Sequence, residues 1–329
     1  MKQLEYVRPT DAAHAVAAVS DNPRAAFLAG GTNLVDHLKL GVATPEVLVD
    51  IRHLGLDMIE DNTDGLRVGA NVLNSDLAAH PRVRAEWPAV ARALLAGASG
   101  QIRNQATTAG NLLQRTRCVY FQDVTTPCNK RRPGTGCSAA EGYGRYNAIL
   151  GTSLSCVAVH PSDLAVALAA LDAVVVVLGR GGERRVPIAD LHRLPGNEPD
   201  RDTSLDHGDL ITGVELPASA VGRTSTYVKV RDRASYAFAL VSVAAGIDLD
   251  ADTVRDVRIA WGGVAHKPWR ATRSEDVLRG QQLTEAAVRD AAEAELADAS
   301  TATGAGYKVA MVRNATMLAF RRLVPEVLR

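Results

Sequence analysis

The sequence predicts an α+β fold in two parts: a two-lobed domain over residues 1–219 and a smaller domain over residues 220–329. Three observations predict it. In the first 60 residues, apolar runs alternate with a helical pattern around a glycine-bearing turn. Beyond residue 220, three successive strand-like runs precede two helix-like stretches, and strands followed by helices mark a separate α+β unit. Between these parts, residues 115–156 form an Arg-rich, Gly-rich, Pro-bearing segment holding every cysteine of the chain. It reads as a long loop inserted into the second lobe, and such insertions in compact domains are usually functional.

Taken in order, Thr10-Asp11 caps a small helix over residues 12–19. Residues 25–28 and 47–51 read as strands, with a helix over 34–40 between them. Lobe one therefore occupies about residues 1–60. Residues 65–70 open lobe two (about 61–219), with helices around 74–80 and 88–98. After the inserted loop, a strand is expected around Cys156–Val159 and a helix from Ser162, with Asp163 in the first turn where a carboxylate is favourable. Gly179-Arg180-Gly181-Gly182 follows an apolar run, but no helix follows it. The stretch 184–188 reads as a returning strand, so the glycines make a hairpin turn and not half of a nucleotide fingerprint. Residues 226–230, 237–249 and 254–262 read as a three-stranded antiparallel sheet. Thr284-Glu285 starts a helix through Leu296, and a last helix covers 308–323.

At 329 residues the chain exceeds the ~250–300 residues at which a single core stops growing. Apolar residues make up 47% and aromatics only 4%, so Ala, Val and Leu must fill the cores. Lys plus Arg equals Asp plus Glu at 37 each, which gives no electrostatic reason to bind nucleic acid or an anionic membrane. The longest apolar runs are too short for a membrane span. The N-terminus carries Lys2, Glu5, Arg8 and Asp11 without an apolar signal core, so no leader is expected and the chain alone points to the cytoplasm. No complete Gly-x-Gly-x-x-Gly and no Walker sequence occurs, which leaves a Rossmann NAD domain unsupported.

Two glycine-bearing stretches carry the chemistry. The first is Leu28-Ala29-Gly30-Gly31-Thr32-Asn33-Leu34; the second is Gly100-Gln101-Ile102-Arg103-Asn104, continuing through Thr107-Thr108-Ala109-Gly110-Asn111. Glycines beside small hydroxyl and amide residues let a backbone approach a phosphate and point several N–H groups at it. Two such turns suggest a dinucleotide lying between two lobes. Each alone is equally an ordinary turn with an ordinary helix cap. Together, and with His160-Pro161-Ser162-Asp163-Leu164-Ala165 and Tyr227-Val228-Lys229-Val230-Arg231, the pair resembles the FAD-binding subunits of molybdenum hydroxylases. Those are the flavoproteins of the xanthine dehydrogenase, aldehyde oxidoreductase and carbon monoxide dehydrogenase group. The resemblance runs over nearly the whole chain. It implies the two-lobed FAD fold of the vanillyl-alcohol oxidase and para-cresol methylhydroxylase type, and the carbon monoxide dehydrogenase flavoprotein type of C-terminal domain.

All four cysteines, Cys118, Cys128, Cys137 and Cys156, fall within 39 positions with spacing C-x9-C-x8-C-x18-C. Disulfides suit an oxidising compartment, but a chain this long does not need them. Structural zinc usually shows a C-x2–4-C knuckle, absent here. Iron–sulfur ligation takes four thiolates and tolerates irregular spacing. The sequence also looks like those flavoprotein subunits that carry an additional 4Fe-4S cluster in an inserted loop, as in periplasmic aldehyde oxidoreductases and 4-hydroxybenzoyl-CoA reductase. The likeness to the aldehyde enzymes is closer, through Arg117-Cys118, Pro127-Cys128-Asn129-Lys130-Arg131, Gly136-Cys137 and Cys156 to Pro161. Arg115, Arg117, Lys130, Arg131 and Arg132 would offset the cluster's negative charge, or form a solvated basic loop.

The resemblance also implies roles. Leu28, Ala29, Gly30, Gly31, Thr32, Asn33 and Leu34 would wrap the FAD pyrophosphate, and Thr107, Thr108, Gly110 and Asn111 would take its second side. Asp163 would hydrogen-bond a polar part of the cofactor; otherwise it is a helix-capping carboxylate. Ile211 would give backbone and packing contacts. Lys229 would approach the isoalloxazine, where a cation stabilises the anionic reduced flavin; otherwise it is an edge-strand lysine in water. The histidines form no metal spacing, and His160 reads as a hydrogen-bonded structural residue. No nucleophile–base–acid set stands out, as suits a subunit whose cofactors do the chemistry. The implied function is an electron-transferring oxidoreductase subunit in a heterotrimer. A large molybdenum-cofactor subunit would oxidise an aldehyde or purine, and a small 2Fe-2S subunit would deliver electrons to FAD for an external acceptor. The implied compartment is then the periplasm, by co-export with a signal-bearing partner. The rival readings are a self-contained FAD-dependent oxidoreductase of the same fold and a zinc-stapled scaffold.

Overall fold

The computed structural model describes residues 3–302 and 304–328. Its first lobe runs β1 (Glu5–Val7), α1 (Ala12–Ser20), β2 (Ala25–Leu28), α2 (Leu34–Leu40) and β3 (Val47–Asp50). The strands form a parallel sheet in the order β1-β3-β2. Asp11 caps α1 by accepting from the His14 N–H at 2.8 Å, and Gly41, at φ +73°, ends α2 in the left-handed conformation that glycine adopts without strain.

The second lobe comprises β4 (Ile59–Asn62), β5 (Gly65–Gly69), α3 (Asn74–Ala79), α4 (Pro81–Glu86), α5 (Pro88–Ala96), α6 (Gly100–Arg103) and α7 (Thr108–Leu112), then α8 (Val119–Gln122) and α9 (Ser138–Glu141) within the Cys-rich loop. It ends with α10 (Asp163–Ala170), β6 (Val174–Gly179), β7 (Gly182–Pro187), α11 (Ile188–Leu191) and β8 (Leu210–Pro217). Its sheet has the order β4-β5-β8-β6-β7, antiparallel throughout. The expected hairpin is there: Gly179 pairs with Gly182, whose φ is +103°. The last 110 residues or so form α12 (Ala220–Arg223), β9 (Ser225–Val230), β10 (Val241–Asp250), β11 (Thr253–Gly262), β12 (Trp269–Arg270), α13 (Thr272–Leu278), α14 (Glu285–Leu296) and α15 (Tyr307–Leu323).

Two expectations need correction. The C-terminal sheet has four strands, not three, in the order β12-β11-β10-β9. The additional strand is the pair Trp269–Arg270 against Trp261 and Ala260, too short to show an alternating pattern. No strand forms over 156–159 either; only an isolated bridge joins Ser153 to Cys156. That segment is extended, but its polar groups pair with scattered partners. The Ala148 N–H donates to the Val157 carbonyl at 2.7 Å, and the His160 N–H to the Ala265 carbonyl at 2.9 Å. Helix α10 sits at the centre. Every residue in it is buried, and it packs on α5 on one side and on β10 and β11 on the other. Among the described residues, no helix is long and apolar enough to cross a membrane.

Candidate functional site

Between the lobes and the C-terminal sheet lies a cavity of about 630 Å³, lined by Thr32, Asn33, Gly110, Asn111, Asp163 and Lys229 among others. The first glycine turn enters it with unspent donors. Among the described residues, the backbone N–H groups of Gly30 through Leu34 meet no acceptor in the chain. Gly31, at φ +74°, makes the turn, and Gly30 lies against the Gln105 backbone, where a Cβ would overlap the carbonyl oxygen and stand 2.9 Å from its carbon. Asn33 is fixed by accepting from the Arg115 N–H at 3.0 Å. Successive unpaired backbone N–H groups in such a turn can bind an anion.

The second glycine stretch is built differently. The Thr108 N–H and hydroxyl both donate to the Val72 carbonyl, at 2.9 and 3.0 Å. Thr107 caps α7 by accepting from the Gly110 N–H at 3.2 Å. Both threonines are buried behind the wall, while Gly110 and Asn111 face the cavity. Asn111 Oδ1 accepts from Ser162 Oγ at 2.7 Å and from Gln114 Nε2 at 2.9 Å, which leaves its own amide N–H groups for a ligand.

On the opposite wall, Asp163 accepts from Lys229 Nζ at 2.7 Å and from the Tyr227 hydroxyl at 2.5 Å. Lys229 also donates to the Ala96 carbonyl at 3.2 Å. The α10 cap is Ser162, which accepts from the Ala165 N–H at 3.0 Å, so the Asp163 carboxylate is released from capping. Burial, together with the adjacent Asp163 charge, pushes the Tyr227 hydroxyl well above its ordinary pKa, keeping it a donor. Ile211 lies in β8, its side chain in the hydrophobic core and not on the cavity wall.

All four cysteines are free thiols and line a second, much smaller cavity beside the first. Cys118, Tyr120 and Ala158 line both. The Cys137 thiol is lowered, chiefly by the hydrogen bond from the Cys156 thiol and also by the N–H groups of Ala139, Ala140 and Val157 against the opposing effect of burial, while Cys156 is raised by the same bond. Burial raises Cys118. Among the described residues no group of three or more His, Cys, Asp or Glu side chains stands ready to hold a metal ion. The donor set is nonetheless the right kind and number for a sulfur-ligated cluster, with backbone N–H groups aimed at sulfur.

The family described as the FAD binding domain in molybdopterin dehydrogenase matches residues 2–219, and the carbon monoxide dehydrogenase flavoprotein C-terminal domain matches residues 225–323. The chain belongs to the FAD-binding medium subunits of the molybdenum hydroxylases. The aldehyde oxidoreductase FAD-binding subunit PaoB of Escherichia coli (strain K12) is 55% identical over 280 residues, 84% of this chain and 86% of that one. The glyceraldehyde dehydrogenase medium chain of Sulfolobus acidocaldarius is 27% identical over 98% of both. Among solved structures, carbon monoxide dehydrogenase from Hydrogenophaga pseudoflava superposes with a TM-score of 0.76 at 25% identity, covering 97% of this chain and 96% of its own.

The flavin subunit's own residues fit FAD: a cavity of the right order for a cofactor, unspent backbone donors and a buried charged pair. Tyr227 carries no role in the sequence reading, although its position two residues before Lys229 on a strand already put both on one face. Tyr236 and Phe238, exposed on the cavity rim, left no sequence signal.

Proposed function

We propose that this chain is the electron-transferring FAD subunit of a molybdenum-dependent aldehyde oxidoreductase. A large molybdenum-cofactor subunit and a small 2Fe-2S subunit are its partners, and an external acceptor takes the electrons. The observation that carries this reading is the 55% identity, over most of both chains, to an aldehyde oxidoreductase FAD-binding subunit. Bound in the larger cavity, FAD supplies a group that accepts electrons singly and releases them in pairs. The chain's residues hold and tune it. The N–H groups of Gly30 to Leu34 receive the pyrophosphate, with Asn111 on the other side. Asp163 and Lys229 form a fixed pair whose carboxylate would accept from a polar part of the cofactor and whose ammonium would approach its reactive ring. Ile211 contributes packing from behind.

In the same reading Cys118, Cys128, Cys137 and Cys156 ligate a 4Fe-4S cluster. What supports it is that four thiols from separate parts of one loop line a single cavity that shares a wall with the larger one. The domain division proposed is 1–219 and 220–329.

The test is purification of the assembly from its native host, with flavin, iron, acid-labile sulfide and zinc quantified. The expected result is a yellow-brown heterotrimer whose flavin absorbance bleaches when an aldehyde is added anaerobically, with four irons beyond those of the small subunit. A colourless protein containing zinc overturns it.

A further inference from the structure

Most basic groups around the larger cavity are already engaged. Lys229 is paired with Asp163. Arg103 donates to the Gly97 carbonyl at 2.6 Å, and Arg233 to the Tyr236 carbonyl at 3.0 Å. Arg115, one residue beyond Gln114 on the wall, is paired with Asp202 at 2.6 Å.

Arg117 differs from all of these. It lines the cavity with its guanidinium over the Phe238 ring, 4.9 Å from the centroid. Its Nε lies out of solvent and meets no acceptor, and no ion pair to it occurs among the described residues. Burial pulls its pKa down against the opposing influence of Asp36, yet a guanidinium stays protonated at any physiological pH. A charge held partly out of water without a partner costs free energy until an anion meets it. The Phe238 contact is cation–π and offers the guanidinium no conventional hydrogen-bond acceptor, so its N–H donors stay available.

Thr32 and Asn33, from the donor turn, line the same space. His37, on α2, is held at about 4 by burial and by the charges of Arg115 and Arg117, so it adds no competing cation. Asp36 is exposed and acts on Arg117 only through space.

We infer that Arg117 is an anion-binding residue of this cavity, its guanidinium meeting a negatively charged part of the bound flavin dinucleotide. The inference rests on the flavin reading above. Two parts of that ligand offer the chemistry: the diphosphate, and the pyrimidine edge of the isoalloxazine, which gains negative charge on reduction.

The experiment uses the assembled complex carrying Arg117→Gln or Arg117→Lys, stripped of flavin with a chaotropic salt and titrated with FAD, with the midpoint potential measured after reloading. If the partner is the diphosphate, Arg117→Gln weakens binding of oxidised FAD about tenfold or more at unchanged potential. If it is the isoalloxazine, binding of oxidised FAD is unchanged and the midpoint potential falls. Arg117→Lys keeps the charge but loses the planar fork, so it shifts the same quantity by less, and it decides the matter should Arg117→Gln fail to assemble. Wild-type affinity together with wild-type potential in the variants overturns the inference. A wild-type complex that takes up no FAD overturns the flavin reading instead.

Discussion

The Asp163 and Lys229 side chains are 9% and 3% exposed, so their charges are sustained by each other, by the Tyr227 hydroxyl and by the Ala96 carbonyl. Removing one partner of such a pair strands the other, at a cost of about 3–5 kcal/mol. Asp163→Asn is therefore expected to lower the urea midpoint and to cut FAD retention, and Asp163→Asn with Lys229→Met to regain much of the stability but not the flavin. Equal stability losses in single and double variants would contradict the pairing. A lysine on an edge strand is ordinarily solvated; here β9 is an edge strand, and the residue is dry because α5 covers that face and Asp163 of α10 meets its ammonium. That cover comes from tertiary packing, which no local pattern reveals. Gly30 is a backbone case. A methyl group there would overlap the Gln105 carbonyl, a main-chain atom that cannot rotate away. Gly30→Ala should cost about 1–3 kcal/mol and displace the donor turn, read as lost stability together with weaker FAD binding.

Helix α10 begins at a single hydroxyl with two duties: Ser162 Oγ caps the helix and donates to Asn111, which faces the cavity. Ser162→Ala should cost about 1–2 kcal/mol through the lost cap and free Asn111 to turn. A thermal unfolding scan shows the first effect, and a raised FAD dissociation constant the second. Losing stability alone would separate the cap from the site. Elements with strong local signatures were legible: the Asp11 and Thr284 caps, the glycine hairpin between β6 and β7, and the long strands β10 and β11. Those set by distant partners were not. Strand β8, interrupted by Thr212 and Gly213, joins the sheet only because β5 and β6 flank it. Strand β12 is two residues long and exists through Trp261. The segment after Cys156 has strand-like composition, but its neighbours present loops and no strand edge. The candidate site divides the same way: the glycine turn and the cysteines stand out as motifs in the sequence, whereas Tyr227 meets Asp163 from 64 residues away.

The two cavities share a wall, and buried histidines fasten it. His266 Nδ1 lies 2.8 Å from the Ala158 carbonyl, His192 Nε2 lies 2.9 Å from that of Leu112, and the His160 and His192 rings are 4.2 Å apart. Burial holds His192 at about 4, His266 at about 3 with the Lys130 charge adding to it, and His160 well below its ordinary value with His192 adding to it. Each accepts a proton in the unfolded chain below about 6.5 but in the folded chain only below its lowered value. Their contribution to stability is thus whole above pH 6.5 and is lost as pH falls toward 4. The neighbouring Asp202 does not blur this window. Although burial pushes Asp202 upward, Arg115 and Lys130 hold it far below the ordinary range, so it stays ionised throughout. The urea midpoint should accordingly fall between pH 7.5 and pH 5, and His266→Asn, which keeps a donor for Ala158, should flatten that fall. Because Ala158 borders both cavities, amide exchange over 157–160 should quicken on acidification before exchange in β10 and β11 does. Uniform quickening across the chain would mean that the acid-sensitive groups lie elsewhere than in this wall.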